Sequence, residues 1–191
     1  MKNLNYKIIL ASKSPRRQFL LKELGIDFEI ITKDIEETYP AHYKKDEIVE
    51  YLCEHKANAY AEELKDDNTL IITADTIVWL KEKAINKPQN YEDAISMLQQ
   101  ISGNMHEVVS GVCLKTNRKT VIFHVVSKVY FKPLTEEEII YYVTNYKPYD
   151  KAGAYGIQEW IGYIGIEKIE GSFYNVMGLP TARLYEELKR F

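Results

Sequence analysis

The chain has 191 residues, 46% of them apolar, with 25 Lys and Arg against 28 Asp and Glu. That length suffices for one sizeable α/β core, and a formal charge of −3 with no dominating basic stripe excludes a protein built to coat nucleic acid or an anionic membrane. A small soluble substrate fits better, and Cys53 and Cys113, far apart in apolar contexts, predict buried reduced thiols in a cytoplasmic protein rather than a disulfide or metal clip.

Residues Met1 to Tyr6 run into the first strand without the apolar region of a secretory signal, and no apolar stretch approaches membrane-spanning length. Ile8-Ile9-Leu10-Ala11 predicts a strand, Ser12-Lys13-Ser14 a hydroxyl-rich turn, and Pro15 onward an amphipathic helix with Gly25 just past its end. Ser14 suits the N-cap and Pro15 the first helical position, which aims the N–H groups of Arg16 and Arg17 back over the turn. Two hydroxyls, a helix N-terminus and two guanidiniums suit a polyphosphate. The same hexapeptide also reads as an ordinary cap followed by two solvated arginines.

Phe28 to Thr32 predicts a second strand, and Lys33 to Lys45, with Asp34, Glu36 and Glu37, an exposed polar loop. Asp46 is expected to cap a long helix to about Lys65, with Val49, Leu52, Tyr60 and Leu64 as its apolar stripe. Lys56 lies four residues from both Leu52 and Tyr60, so its stem either snorkels to the core edge or its ammonium reaches into a site. Thr69 to Ala74 predicts a central strand ending in Asp75, and the carboxyl ends of strands are where open α/β sheets bind ligands. A turn or N-cap role for Asp75 is weakened because Ile77-Val78-Trp79-Leu80 resumes as strand and no helix starts there.

Lys87 falls in the loop Asn86-Lys87-Pro88, ahead of a helix from about Tyr91 to Ile101 that Gly103 ends. Met105 to Leu114 and Thr120 to Lys132 predict an antiparallel pair, and Thr135 to Glu138 a capping box for a helix ending near Tyr146. Between Tyr149 and Gln158, glycines and small residues beside Asp150 and Lys151 suit either close approach to a ligand or a tight structural loop. A strand over Gly162 to Ile169, a loop from Gly171 to Pro180 and a helix from Thr181 to Lys189 complete the order. No repeat, low-complexity segment or linker interrupts it, which predicts one domain over residues 1–191.

The phosphate-loop, dinucleotide-fingerprint, zinc-protease and nucleophile-elbow motifs are all absent. His42, His55, His106 and His124 show no ligand spacing and are expected to be surface or packed residues, so any metal is held by oxygen. Carboxylates such as Glu36, Glu37 and Asp75, with substrate phosphates completing the shell, describe a Mg²⁺ or Mn²⁺ site. With the cations Arg16, Arg17, Lys56 and Lys87, they match metal-assisted cleavage of a nucleoside triphosphate.

Six motifs in order resemble those of the Maf family: Ser12-x-Ser14-Pro15-Arg16-Arg17, Ala74-Asp75-Thr76-Ile77-Val78, Asn86-Lys87-Pro88, Ser102-Gly103-x-x-His106-x-Val108, Asp150 through Gln158, and Asn175-Val176-x-Gly178-Leu179-Pro180. The resemblance spans nearly the whole chain. It implies a nucleoside triphosphate pyrophosphatase whose fold, related to the inosine-triphosphate pyrophosphatases, is a long mixed sheet flanked by helices, with two lobes around a central cleft. It implies Asp75 as the catalytic aspartate, as base, metal ligand or both, with Glu36 and Lys56 as further charged active-site residues and Asp75 and Glu36 on a divalent cation. Ser12, Ser14, Arg16, Arg17 and Lys87 correspond to the phosphate end of the site, and Arg16, Thr76 and Gln158 resemble the pattern of the branch that cleaves dTTP and UTP. A glutamine amide both donates to and accepts from a pyrimidine edge. The expected chemistry is attack of water on the α-phosphorus, releasing nucleoside monophosphate and pyrophosphate. The alternatives are the same chemistry on a modified purine triphosphate such as 7-methyl-GTP, or a non-catalytic nucleotide-sensing regulator of cell division. Members of the family are often homodimers.

Overall fold

The computed structural model describes residues 6–191, so the reading of Met1 to Asn5 lies outside the described residues. The strands are β1 (Lys7–Leu10), β2 (Glu29–Ile30), β3 (Thr69–Leu80), β4 (Lys83–Ile85), β5 (Met105–Lys115), β6 (Thr120–Phe131) and β7 (Ile166–Glu170). They form one seven-stranded sheet in the order β2-β1-β3-β5-β6-β7, with β4 on β3. It is mixed: β1 runs parallel to β2 and β3, whereas β4 and β7 run antiparallel to β3 and β6. Every position of β3 except Thr76 is buried, as its near-continuous apolar run requires of a central strand.

The helices are α1 (Pro15–Glu23), α2 (Lys45–Asn58), α3 (Tyr91–Ile101), α4 (Glu136–Tyr146), α5 (Trp160–Gly165), α6 (Phe173–Val176) and α7 (Thr181–Arg190). Local signals placed α1, α3 and α4 closely. Ser14 caps α1, Gly25 takes φ +68° just beyond it, and the Thr135 hydroxyl and Glu138 carboxylate close a reciprocal box on α4. The β5–β6 hairpin is closed by the Thr116 N–H donating to the Lys119 carbonyl at 2.8 Å.

Four expectations are corrected. The strand expected over 28–32 shrinks to the two residues of β2. The helix expected from Asp46 to Lys65 begins at Lys45 and stops at Asn58, because Lys44 is its cap, with its N–H held by the Glu47 carboxylate at 2.9 Å, and the chain turns at 59–62 to bury Tyr60. Gly162 lies in α5, where its N–H closes a helical turn on the Glu159 carbonyl at 2.8 Å, and only Ile166 onward is strand. The loop from Gly171 contains α6, capped by Ser172 and fastened where the buried Asn175 amide donates to the Val108 carbonyl at 3.1 Å and the Ser127 hydroxyl at 3.0 Å.

The chain divides into two compact units, each assembled from separated segments. The first contains the residues up to Thr76, Ser110–Val125 and Gly178–Phe191; the second contains Ile77–Val109 and Val126–Met177. In the first unit, α2 buries Val49 and Leu52, and α7 buries Leu184 and Leu188. In the second, α3, α4 and α5 enclose a core that includes Leu98, Ile101, Tyr142, Val143 and Ile161. No helix among the described residues is long and apolar enough to cross a membrane.

His106 is a packed residue, as its lack of ligand spacing predicted. It is 1% exposed, with Nε2 at 2.8 Å from the Tyr155 hydroxyl, and burial lowers its pKa from 6.5 to about 4. The unfolded chain therefore takes up this proton as the pH falls through 6.5, while the folded chain resists until about 4. His106 thus contributes stability that is full above pH 6.5 and lost toward pH 4, a swing of about 3 kcal/mol. Urea unfolding between pH 7 and 4.5 should show this slope in the natural protein and a shallower one in His106→Gln; equal slopes would refute the assignment.

Candidate active site

Asp75 stands inside β3 rather than at its end, because the β3–β4 hairpin carries the strand on to Leu80. What ends nearby is β1. Leu10 pairs with Ile72, the Ala11 N–H donates to the Ile72 carbonyl at 2.9 Å, and the chain then leaves the sheet into the Ser12–Ser14 turn. Asp75 therefore lies beyond the carboxyl end of its parallel neighbour, the position that favours ligands in open sheets.

Thr73 and Asp75, two apart on a strand, share one face. The Thr73 hydroxyl donates to the Cys53 carbonyl at 2.7 Å, in a buried bond that pins α2 to β3. Cys53 and Lys56, three apart on a helix, lie on one side, so the same bond sets Lys56 over Asp75. The Lys56 ammonium meets Asp75 Oδ2 directly and Glu37 Oε1 at 2.7 Å, while Asp75 Oδ1 accepts the Thr76 N–H at 2.7 Å. The side chains of Lys56 and Asp75 are 13% and 11% exposed. Burial works to lower the lysine pKa and the Arg17 charge adds to that effect, but Asp75 and Glu37 outweigh both, leaving the pKa raised and the ammonium protonated. Of the two readings of Lys56, a stem at the core edge or an ammonium reaching inward, the ammonium reaches inward to Asp75 and Glu37.

Both cysteines are free and buried. Burial pushes the Cys53 thiol well above its usual range and Cys113 up to about 12, so neither supplies a thiolate nucleophile near neutrality.

Both glutamates are exposed, and Glu37, not its neighbour Glu36, is the carboxylate that reaches Lys56. The cause is distant in sequence. Buried Tyr60 accepts the Lys33 N–H at 3.1 Å and donates to the Ile31 carbonyl at 2.9 Å, while Ile31 and Ile35 pack against Ile9, Tyr60, Leu64 and Ile71. These contacts fix where the irregular segment delivers its acids. Tyr60→Phe leaves a donor and an acceptor without partners and should cost about 1–3 kcal/mol. The urea midpoint should fall accordingly; an unchanged midpoint would remove Tyr60 as the anchor of this segment.

In the turn before α1, the buried Ser12 hydroxyl accepts the Ser14 N–H at 3.2 Å and Ser14 Oγ accepts the Arg17 N–H at 3.5 Å. Each oxygen is used as an acceptor, an arrangement that leaves its O–H to donate to an anion. Arg16 is half-buried in the first turn of α1. Arg17 is committed to the fold: Nε donates to the Gly178 carbonyl at 2.9 Å and an Nη to Thr76 Oγ1 at 3.1 Å. Thr76 Oγ1 also lies 2.8 Å from Ser110 Oγ. Gly178 adopts φ +111°, which a side chain there would strain.

Lys87 and Gln158 belong to the second unit. The Gly153 N–H donates to the Asn86 carbonyl at 3.1 Å, tying the loop that carries Lys87 to the segment that carries Gln158. Lys87 is exposed and lines a cavity of about 500 Å³ with Lys81 and Lys83. Gln158 is half-buried, and its Oε1 is buried without a hydrogen-bond partner among the described residues. Also among the described residues, no three His, Cys, Asp or Glu side chains converge as a ready-made metal cage.

Residues 7–191 match the family model described as Maf, Maf-like protein. The chain is 57% identical over 183 residues to a Flavobacterium johnsoniae protein named dTTP/UTP pyrophosphatase, covering 96% of this chain and 94% of that one. A Parabacteroides distasonis protein of the same name is 56% identical over 187 residues, covering 97% and 96%. Among solved structures, the Staphylococcus aureus Ham1 protein aligns with a TM-score of 0.54 at 19% identity over 95% of this chain and 99% of that one, a likeness of fold.

Proposed function

Because the chain belongs to the Maf family, we propose that it hydrolyses nucleoside triphosphates, dTTP and UTP first among them, to the nucleoside monophosphate and pyrophosphate. The observation that carries this is the Glu37–Lys56–Asp75 cluster, with its lysine and aspartate largely buried, in a chain more than half identical over nearly its whole length to proteins named for that activity.

Asp75 takes the proton of the attacking water as oxygen bonds to the α-phosphorus and the bond to the bridging oxygen breaks, with pyrophosphate leaving. Lys56 holds the Asp75 carboxylate in place through their ion pair. The hydroxyls of Ser12 and Ser14, with the N-terminus of α1 and Arg16, receive phosphate oxygens. Arg17 supports that end by fixing α1 against Thr76 and Gly178 as well as by its charge. Lys87 adds a further phosphate cation, and Arg16, Thr76 and Gln158 govern the choice of base.

The donor set suits a divalent cation. Two carboxylates, Asp75 and Glu37, converge on one ammonium, and Mg²⁺ or Mn²⁺ takes one or two carboxylates with substrate phosphates. Asp75 and Glu37 would hold it, in place of the expected pair with Glu36, and bound there it supplies charge neutralisation and polarisation of a phosphoryl oxygen. The buried thiols favour a reducing, cytoplasmic setting.

A panel of dTTP, UTP, dCTP, ITP and 7-methyl-GTP with Mg²⁺ or Mn²⁺, assayed for phosphate with and without added pyrophosphatase, tests the proposal. Signal from dTTP and UTP that requires the coupling enzyme is expected. Orthophosphate without it, or tight binding without turnover, would overturn the proposal.

A further inference from the structure

Gln158 Oε1 is a buried acceptor without a donor among the described residues. The turn around it is built from other groups. The Glu159 N–H closes on the Gly156 carbonyl at 3.0 Å, making 156–159 a tight turn with Gln158 as its third residue. A second closure runs through side chains: fully buried Tyr142, on α4, accepts the Gly156 N–H at 3.0 Å and donates its proton to Glu159 Oε2. The other carboxylate oxygen, Oε1, lies 3.0 Å from the ammonium of buried Lys151, which also meets Asp150 Oδ1 at 2.8 Å. Glu159 packs so closely on the turn that a Cβ on Gly156 would lie 2.7 Å from its carboxyl carbon.

We propose that Glu159, clamped by Tyr142 and Lys151, is a positioning residue that orients the Gln158 amide and thereby sets the choice of pyrimidine. The inference rests on the assignment of Gln158 to base recognition. An acceptor held in place discriminates by what it faces: uracil and thymine carry a proton on N3, whereas cytosine presents a bare acceptor there. The full engagement of the Glu159 carboxylate makes the brace rigid, since both oxygens are taken by donors from different elements. Burial and the Glu159 carboxylate raise the Tyr142 pKa, so its hydroxyl remains a donor at working pH. The brace fixes the backbone from which the Gln158 side chain springs, and so where its amide, both donor and acceptor, can reach.

The test is a double-mutant cycle read on selectivity. Tyr142→Phe and Glu159→Gln are each made in the natural protein and in Gln158→Ala, and kcat/KM is measured for dTTP and dCTP alongside the thermal midpoint. Each brace variant should lower the dTTP:dCTP ratio about tenfold, through KM for dTTP, and should have no further effect on the ratio once Gln158 is removed. Glu159→Gln keeps the volume and an acceptor for Tyr142, so it carries the test if Tyr142→Phe fails to fold. An unchanged ratio in a folded brace variant, an equal loss on both substrates, or the same loss of ratio with and without Gln158 would overturn the proposal while leaving Gln158 as the base reader. If Gln158→Ala itself leaves the ratio unchanged, the base-recognition assignment falls, and the brace with it.

Discussion

Replacing Asp75 with Asn is expected to lower kcat on dTTP by about 10²-fold or more while the protein still folds. Asparagine keeps the size of the side chain and an oxygen that can accept the Thr76 N–H now held at 2.7 Å, so the strand has no reason to rearrange. What disappears is the charge. Without it the substituted residue cannot take a proton from water, and a divalent cation held as proposed would lose one of its two carboxylates. A second consequence concerns Lys56. Its ammonium is kept protonated against burial chiefly by Asp75, so in the variant burial and Arg17 gain the upper hand and the lysine pKa falls. Turnover measured with saturating dTTP, together with the thermal midpoint, checks this; a variant retaining most of its activity would remove Asp75 from the chemistry.

Lys56→Met is the complementary change, and its larger effect should be on stability. Methionine fills most of the space of the lysine stem but leaves the Asp75 carboxylate, 11% exposed, without its cation. Breaking such a pair from one side costs about 3–5 kcal/mol. The variant should therefore unfold at a lower urea concentration than the natural protein when both are measured at pH 8. Activity should fall as well, because the carboxylate is no longer held in position. If Lys56→Met were as stable as the natural protein at pH 8, the pair would contribute nothing to the fold.

What the sequence made legible was local. Ser14, Pro15 and Gly25 bracket α1, and Thr135 with Glu138 starts α4, because caps act within a turn of the residues that form them. Asp75 and Lys56 stood out as charges in apolar surroundings, and they do meet. The identity of the second acid was not legible. Adjacent glutamates differ only in which way an irregular segment turns, and that is decided by Tyr60, twenty-seven residues away from Lys33. Arg17 likewise read as a phosphate ligand from its place on α1, while its ties to Thr76 and Gly178 depend on segments far along the chain. The Tyr142–Glu159–Lys151 brace left no sequence signal, since three ordinary polar residues become a unit only once α4 and the turn at 156–159 are packed together.

The Arg17 guanidinium has one more implication, for the order in which the protein is made. It joins α1 to Gly178 across 161 residues of chain. Contacts so distant in sequence form late, after their loop has been closed by others. On the ribosome, the Ser12–Ser14 turn, α1 and Asp75 are all synthesised long before Gly178 exists to receive the guanidinium. The bond between α1 and the Gly178 carbonyl therefore stays open during synthesis and closes only once the chain has been extended through Gly178.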